Sequence, residues 1–438
     1  MSTAHRKAIE AVVNESHRLL IEQVKEGGRL AVVKAPPGSG KTYLLMKAVE
    51  AAVKSKMRVA IATQTRAQSD DICYRLVSQF KVKPIRFAAA SSLKSDPPYA
   101  VVTDKKELPQ GPCVVVATSA KWGMIKDPQP FDILFVDEAW QLAWADFMLL
   151  GHVAGRFVLI GDPGQIPPVV TIDTGRWETA PRAPHHAAPE LVLAQKPRDL
   201  LPLELPATRR LPHDTVDYIR PFYDFHFGAW AEPGDRQVLS NAKGRDGIDK
   251  AIEKLSAGSV VALTIPTPAE GPPLEQDDEI AELATQVAAR LLKREASARI
   301  GSERRELEPK DIGLCSTHRV MNAAMELKLP KGFRRSSRVD TPERWQGLEC
   351  PVMVIAHPLS GVVRPSDFDL ETGRLCVMAS RHQAGLIIVT RDHIGRTLDQ
   401  HLPSAEQPLG RPDVAGRGHL QHQQLWDRLL AQDRVVQL

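Results

Sequence analysis

The chain has 438 residues, which at roughly 150 residues per domain allows about two or three domains. Hydrophobic residues make up 43% and charged residues 25%, the balance of an ordinary globular protein, so wholesale disorder is excluded. Lys and Arg total 57 against 53 Asp and Glu, and this net charge of +4 excludes a binder held to nucleic acid by bulk charge while allowing a local basic groove.

No apolar run reaches the roughly 18 residues that a membrane span needs. The start, MSTAHRKAIEAVV, carries no signal-peptide core, so a reducing cytoplasmic setting without membrane contact is expected. Cys73, Cys113, Cys315, Cys350 and Cys376 are scattered with no CxxC pair. The pairs His185-His186 and His419 with His422 lack further ligands at zinc spacing, so neither a disulfide framework nor structural zinc is expected.

From residue 29 onward, short apolar runs alternate with helical patterns, the mark of parallel α/β architecture. Residues 29–35 read as a strand, 41–54 as a helix, 58–63 as a strand and 67–80 as a helix. Further strands are expected near 85–88, 113–118, 133–136 and 157–160, making a doubly wound sheet of six. Ligands in such sheets bind at the carboxyl ends of the strands. Residues 171–204, rich in Pro, Ala and His, read as a long irregular connection.

The second half repeats the pattern. A strand at 259–265 precedes a helix at 277–295, whose Ile280, Leu283, Val287 and Leu291 recur every three or four residues. Asp277, Asp278 and Glu279 suit the positive end of its dipole. Strands at 312–316, 352–356 and 386–390 alternate with helices at 319–327 and 374–380. Residues 402–418 read as a linker to a last helix at 419–433, whose Leu425, Trp426, Leu429 and Leu430 are expected to dock on its own domain. The domains are thus drawn at 1–200 and 201–401, with 402–438 as linker and terminal helix.

One segment carries clear chemistry. Ala35-Pro36-Pro37-Gly38-Ser39-Gly40-Lys41-Thr42 stands where the first strand gives way to a helix. It is a P-loop pattern with Ala in place of the usual first Gly: small residues let successive backbone N–H groups curl around phosphate. Pro37, Gly38, Ser39 and Gly40 form the cradle, Lys41 reaches the β- and γ-phosphates of ATP, and Thr42 holds Mg²⁺. Downstream, the apolar run Ile133-Leu134-Phe135-Val136 ends in Asp137-Glu138. Asp137 would complete the Mg²⁺ shell and Glu138 would orient and deprotonate the attacking water.

Asp137-Glu138-Ala139-Trp140-Gln141 and Gly161-Asp162-Pro163-Gly164-Gln165-Ile166-Pro167-Pro168-Val169 then follow at two strand ends. Here the sequence resembles the superfamily 1 helicases, and most of all the branch with the Upf-type RNA helicases and the RecD- and Pif-type DNA helicases. The double proline sets it apart from the UvrD-type branch. The resemblance covers roughly residues 5–395 and implies two tandem RecA-like parallel-sheet domains, a P-loop NTPase fold.

It also implies roles. Gln165 senses the γ-phosphate and couples it to nucleic acid. Thr208-Arg209-Arg210-Leu211-Pro212 resembles the arginine motif, with Arg210 as the finger and Arg209 as the fallback. Residues 312–319 resemble the strand-to-helix motif that follows. Trp345-Gln346-Gly347-Leu348-Glu349 resembles the fifth motif, with Gln346 and Gly347 near phosphate and Glu349 near the ribose. Val377-Met378-Ala379-Ser380-Arg381 resembles the sixth, with Arg381 as the second finger. Thr63, Thr65, Arg66, Thr118 and Trp122 fall where the family touches a single strand of DNA or RNA, Trp122 either stacking on a base or packing in the core. Lys328, Lys331, Arg334, Arg335 and Arg338 form a basic cluster near the expected strand exit.

Two departures stand out. Where the family often inserts a duplex-splitting wedge, this chain offers only about 91–112 and 329–340, which favours a translocase or a motor whose wedge or nuclease comes from a protein partner. The adenine-reading glutamine has no clear counterpart: His5 and Arg6 stand near its place and Gln23 comes late. The function implied is a nucleic-acid-dependent ATPase moving 5′ to 3′, with duplex or nucleoprotein remodelling. The alternative is an ATP-switched assembly subunit of a larger nucleic-acid-processing complex that does no unwinding itself.

Overall fold

The computed structural model describes every residue except 1, 90–96, 127–129, 172, 178–179, 241–243, 245 and 402–413. Eight parallel strands build the first sheet: β1 Leu30–Lys34, β2 Arg58–Thr63, β3 Pro84–Phe87, β4 Ala100–Val102, β5 Cys113–Thr118, β6 Ile133–Val136, β7 Phe157–Gly161 and β8 Leu200–Glu204. Their order is β4-β3-β5-β2-β6-β7-β1-β8. Strand β2 is buried along its whole length, because helices cover both faces of such a sheet and leave no side for water. Leu44, Leu45, Ile61 and Leu76 pack one face, with Leu20 of the long helix Ser2–Lys25. Trp122, Phe131, Leu134 and Trp140 pack the other.

Six strands were legible in sequence; the two further ones, β4 and β8, are the sheet's edges. An edge strand can be short and can carry a proline, since one side of it makes no ladder. Accordingly β4 has three residues and β8 reads Leu-Leu-Pro-Leu-Glu. Strand β8 pairs with β1, so the first sheet runs to Glu204, past the boundary drawn at residue 200.

The second sheet has six parallel strands, in the spatial order Val339–Asp340, Ile312–Cys315, Cys350–Ala356, His382–Arg391, Val260–Ile265 and Val435–Gln437. Its last strand belongs to the segment expected to be linker and helix. Helix Val414–Ala431 buries Leu425, Trp426 and Leu429 in the second core, leaves Leu430 exposed, and delivers Val435–Gln437 to the sheet edge. Residues 414–438 therefore complete the second domain; the linker reading at 402–413 lies outside the described residues. A three-stranded antiparallel unit, Arg236–Leu239 with Ser297–Ile300 and Glu303–Glu306, adds Val238 and Ala298 to that core.

These are tandem RecA-like domains, and they face each other with opposite edges. The first presents the turns after β1, β6 and β7, at carboxyl ends. The second presents Gln346–Glu349 and Ser380-Arg381, which precede the strands Cys350–Ala356 and His382–Arg391 and so lie at amino ends. The loop after β7 crosses the divide: Ile166, 5% exposed, packs in the second core.

Candidate active site

The P-loop leaves β1 through Ala35, whose N–H donates to the Gly161 carbonyl at 2.9 Å, and enters helix Lys41–Lys54. Gly38 and Gly40 sit at φ +69° and +87°, the left-handed region that side chains resist. At Gly38 a Cβ would also collide with Arg210. The second domain comes that close: Arg209 N–H donates to the Gly38 carbonyl at 2.8 Å, and Thr208 Oγ1 donates to the Pro37 carbonyl at 2.5 Å.

Lys41 Nζ is 2.6 Å from Glu138 Oε1. Glu138 follows β6 at φ 51°, a left-handed position costing a non-glycine residue about 1–3 kcal/mol, which aims its carboxylate at the P-loop. Beside it Asp137 is buried, and its Oδ1 has no hydrogen-bond partner. Burial and the Glu138 charge raise the Asp137 carboxyl above its ordinary range, against the pull of Lys41. Ser39 Oγ is likewise buried without a partner. An orphaned carboxylate oxygen and the Thr42 hydroxyl at the helix start are hard oxygen donors of the kind Mg²⁺ takes, so these residues fit the ion.

From the next strand, Asp162 is buried and organises its loop. Its Oδ1 accepts from Gly164 N–H at 3.0 Å and its Oδ2 from Gln165 Nε2 at 2.5 Å. Gln165 Oε1 in turn accepts from Gln346 Nε2 at 3.2 Å, a bond between the domains. Burial raises the Asp162 carboxyl, with Lys41, Tyr223 and Arg381 opposing.

Both finger candidates stand across the cleft. Arg210 Nε donates to Glu349 Oε2 at 2.5 Å and Nη1 to the Ser380 carbonyl at 3.3 Å. Burial works to raise the Glu349 carboxyl, yet Arg210 prevails and holds it below the ordinary range. Arg209 turns away, to Glu10 at 3.0 Å and over the Trp230 ring. Arg381 is 1% exposed; Nε donates to the Val377 carbonyl at 3.2 Å and Nη2 to Ser380 Oγ at 2.9 Å. Burial and the neighbouring Arg210 charge pull its guanidinium down to about 10, while Asp162 works the other way.

Lys41, Thr42, Asp137, Glu138 and Gln165 thus meet Arg210, Gln346, Glu349 and Arg381 around one cleft. Two residues there carried no sequence signal. Arg236, at the start of an antiparallel strand, donates to the Arg209 carbonyl at 2.6 Å and adds its charge near Glu349. Tyr223, in a plain Pro-Phe-Tyr run, donates to Asp162 Oδ1 at 2.9 Å. Gln23 packs on Gly28 at the end of β1 away from the P-loop, 3.5 Å from the Leu30 carbonyl. His5 and Arg6 bind Ala229 and Asp235.

The strand-contact expectations divide. Trp122 is 0% exposed: its Nε1 donates to the Ile61 carbonyl at 2.9 Å and its ring meets Phe87 and Phe131. The core encloses its ring, which leaves no face open to a base in this arrangement. Thr63 is also wholly buried, its hydroxyl bonded to Ser69 Oγ at 2.6 Å, and cannot present that hydroxyl to a strand. Thr65 and Arg66 are exposed after β2, Thr65 capping the next helix through Gln68 N–H. Thr118, half-buried after β5, caps the following helix through Lys121 N–H. The basic cluster is partly engaged locally: Arg334 donates to the carbonyls of Leu327 and Leu329, and Arg338 pairs with Asp340 and lies over Trp345.

Residues 13–196 match the AAA domain family. Over 177 residues the chain is 24% identical to the DNA replication ATP-dependent helicase/nuclease DNA2 of Saccharomyces cerevisiae, covering 38% of this chain and 12% of that protein. Over 173 residues it is 28% identical to the DNA replication ATP-dependent helicase/nuclease JHS1 of Arabidopsis thaliana, covering 37% and 13%. It therefore spans only a small part of those relatives. Among solved structures, the arterivirus nonstructural protein 10 (helicase) aligns over 87% of this chain and 63% of its own, at 15% identity and a TM-score of 0.44. Among the described residues, no helix is long and apolar enough to cross a membrane.

Proposed function

We propose that the chain is a superfamily 1 helicase-like protein, a nucleic-acid-dependent ATPase moving 5′ to 3′ along single-stranded DNA or RNA. One observation carries this reading: Lys41, Glu138 and Gln165 of the first domain face Arg210, Gln346 and Arg381 of the second across a single cleft, with Gln165 and Gln346 already bonded at 3.2 Å.

ATP entering the P-loop would draw Lys41 from Glu138 to its phosphate oxygens, since a phosphate carries more charge than one carboxylate. Glu138, released, is placed to orient the attacking water and take its proton. Arg210 and Arg381 neutralise charge that develops on the γ-phosphoryl group only while the cleft is shut. Asp137 and Thr42 would hold Mg²⁺, which supplies further charge neutralisation at the phosphates when bound. ATP thus favours the closed arrangement and hydrolysis releases it, the cycle that moves a strand. Thr65, Arg66 and Thr118, at the carboxyl ends of β2 and β5, supply the contact edge; phosphate contacts of that kind fix position without reading sequence.

The small insertion points weigh against unwinding by the chain alone, which fits a translocase and equally a second reading, an ATP-switched assembly subunit. The described part of the first holds β4 and the short turn Lys105–Glu107, and the second only the approach to Val339–Asp340. Remodelling of duplexes would then need a wedge from a protein partner. ATP turnover with and without single strands separates the readings, and tailed duplexes with 5′ or 3′ overhangs give direction. Lys41→Ala and Glu138→Gln should each lower turnover at least about tenfold, through loss of the phosphate clamp or of water orientation. Undiminished turnover in Lys41→Ala would remove the site assignment, and nucleotide binding with no stimulation by single strands would remove the motor.

A further inference from the structure

The second domain grips the loop 161–169 at several points, at Gln165 and Ile166 among others, and one grip is Tyr223. This residue follows the turn Arg220–Phe222 and packs against the second core, where Phe222, Phe225 and Phe227 are buried. Its hydroxyl donates to Asp162 Oδ1 at 2.9 Å and lies 3.3 Å from Cys376 Sγ. Cys376 belongs to helix Thr372–Ala379, which leads directly into Ser380 and Arg381. Asp162 passes the connection to Gln165 at 2.5 Å, and Gln165 to Gln346 at 3.2 Å. A continuous polar chain therefore runs from the finger helix, through the first domain's loop, to the Gln346–Glu349 turn.

Neighbouring atoms leave this chain little slack. A Cβ on Gly164 would collide with the Tyr223 ring, and one on Gly373 would stand 2.7 Å from the Gln165 carbonyl carbon. Glycine at both places lets the loop and the finger helix meet at backbone distance. Burial raises both the Tyr223 phenol and the Cys376 thiol, so both keep their protons. With one phenol proton given to the carboxylate, the thiol is left to donate to the phenol oxygen. Without that hydroxyl, Asp162, 2% exposed, would keep its bonds from Gly164 and Gln165 within the loop and lose the one that ties its carboxylate to the second domain.

We propose that Tyr223 is a positioning residue that holds Gln165 and the Arg381 helix in one register, so that a γ-phosphate contact at Gln165 is felt at the finger. The proposal rests on the ATPase reading above. It gives the coupling a two-domain element that moves as a unit, rather than mere proximity.

Tyr223→Phe tests it, because the ring still fills the space against Gly164 and only the hydroxyl goes. Steady-state ATP turnover is measured with saturating single-stranded DNA or RNA, alongside the thermal midpoint. The expected result is a fall of about tenfold in stimulated kcat, with ATP KM within about twofold and the midpoint nearly unchanged, the pattern of a contact made in the transition state. Cys376→Ser, which keeps a donor beside the phenol, should retain most of the stimulated rate. A Tyr223→Phe protein with wild-type stimulated kcat overturns the proposal, as does a loss that appears in KM and thermal midpoint instead. If the wild-type chain itself shows no strand-stimulated turnover, the ATPase reading falls and this proposal falls with it. Wild-type stimulation with an indifferent Tyr223→Phe removes the proposal alone.

Discussion

Two stretches of the same sheet edge use polar side chains in different ways. After β1, β6 and β7, Lys41, Glu138 and Gln165 reach beyond their own turns, towards each other and across to the second domain. After β2 and β5, the polar groups are consumed close to home: Thr63 bonds Ser69, while Thr65 and Thr118 cap the helices they begin. The nucleotide cleft is built from side chains that wait for charge. The proposed strand edge is built from caps, which hold backbone N–H groups and short turns at the surface. A hydroxyl in a motif therefore says where the chain turns before it says what the side chain touches.

The largest expected effect probes the cleft side of that contrast. The buried Arg381 guanidinium donates to Val377 and Ser380 of its own turn, so in the proposed cycle its work begins when phosphoryl charge appears. Arg381→Ala should lower turnover about 10³-fold, within the range for arginine fingers. Nucleotide affinity, read by titration with a fluorescent analogue, should stay within about threefold. Arg381→Lys should recover little, because an ammonium lacks the planar fork. Equal losses of binding and turnover would make Arg381 a ground-state contact and erase the contrast.

A smaller effect is expected at Trp122, the residue that crossed from one side of the comparison to the other. Trp122→Ala should cost about 3–5 kcal/mol of stability, as a buried aromatic truncation does, seen as a lower midpoint in urea. Trp122→Phe should return most of that stability and leave strand affinity untouched. Unchanged stability together with weaker strand binding would restore Trp122 to the track.

How far the sequence could be read follows the same division. The P-loop was legible because its glycines, Lys41 and Thr42 act within one turn, so spacing alone encodes geometry. Asp137 and Glu138 were legible because a buried strand has little reason to end in two carboxylates. Trp122 was ambiguous because an aromatic three residues into a helix looks the same whether it faces a base or Phe131. Tyr223 and Arg236 were invisible: Tyr223 acts through a contact between domains, with Asp162 sixty-one positions away, and Arg236 through the Arg209 carbonyl, twenty-seven positions away in its own domain. Edge strands β4 and β8 escaped for a related reason, since an edge imposes no continuous apolar run. Val435–Gln437 escaped because three residues make no period; only its neighbour Val260–Ile265 makes it a strand.

The smallest expected effects lie on the strand edge itself, where two adjacent residues should separate. Thr65 forms a capping box with Gln68: its hydroxyl accepts from Gln68 N–H at 3.2 Å, and its own N–H donates to Gln68 Oε1 at 2.9 Å. Thr65→Ala should therefore cost about 1 kcal/mol of stability, the usual loss of an N-cap, whether or not a strand is bound. Arg66, one position on, is exposed at the first turn of the helix. Arg66→Ala should leave stability nearly unchanged and weaken strand binding a fewfold, equally across sequences. The logarithmic slope of affinity against salt should shrink by about one phosphate's worth. A slope that stays at its wild-type value in Arg66→Ala would move the strand off the β2 edge. In that case the capped turns there are only the ends of a well-packed sheet, and the contact edge must be sought on the second domain.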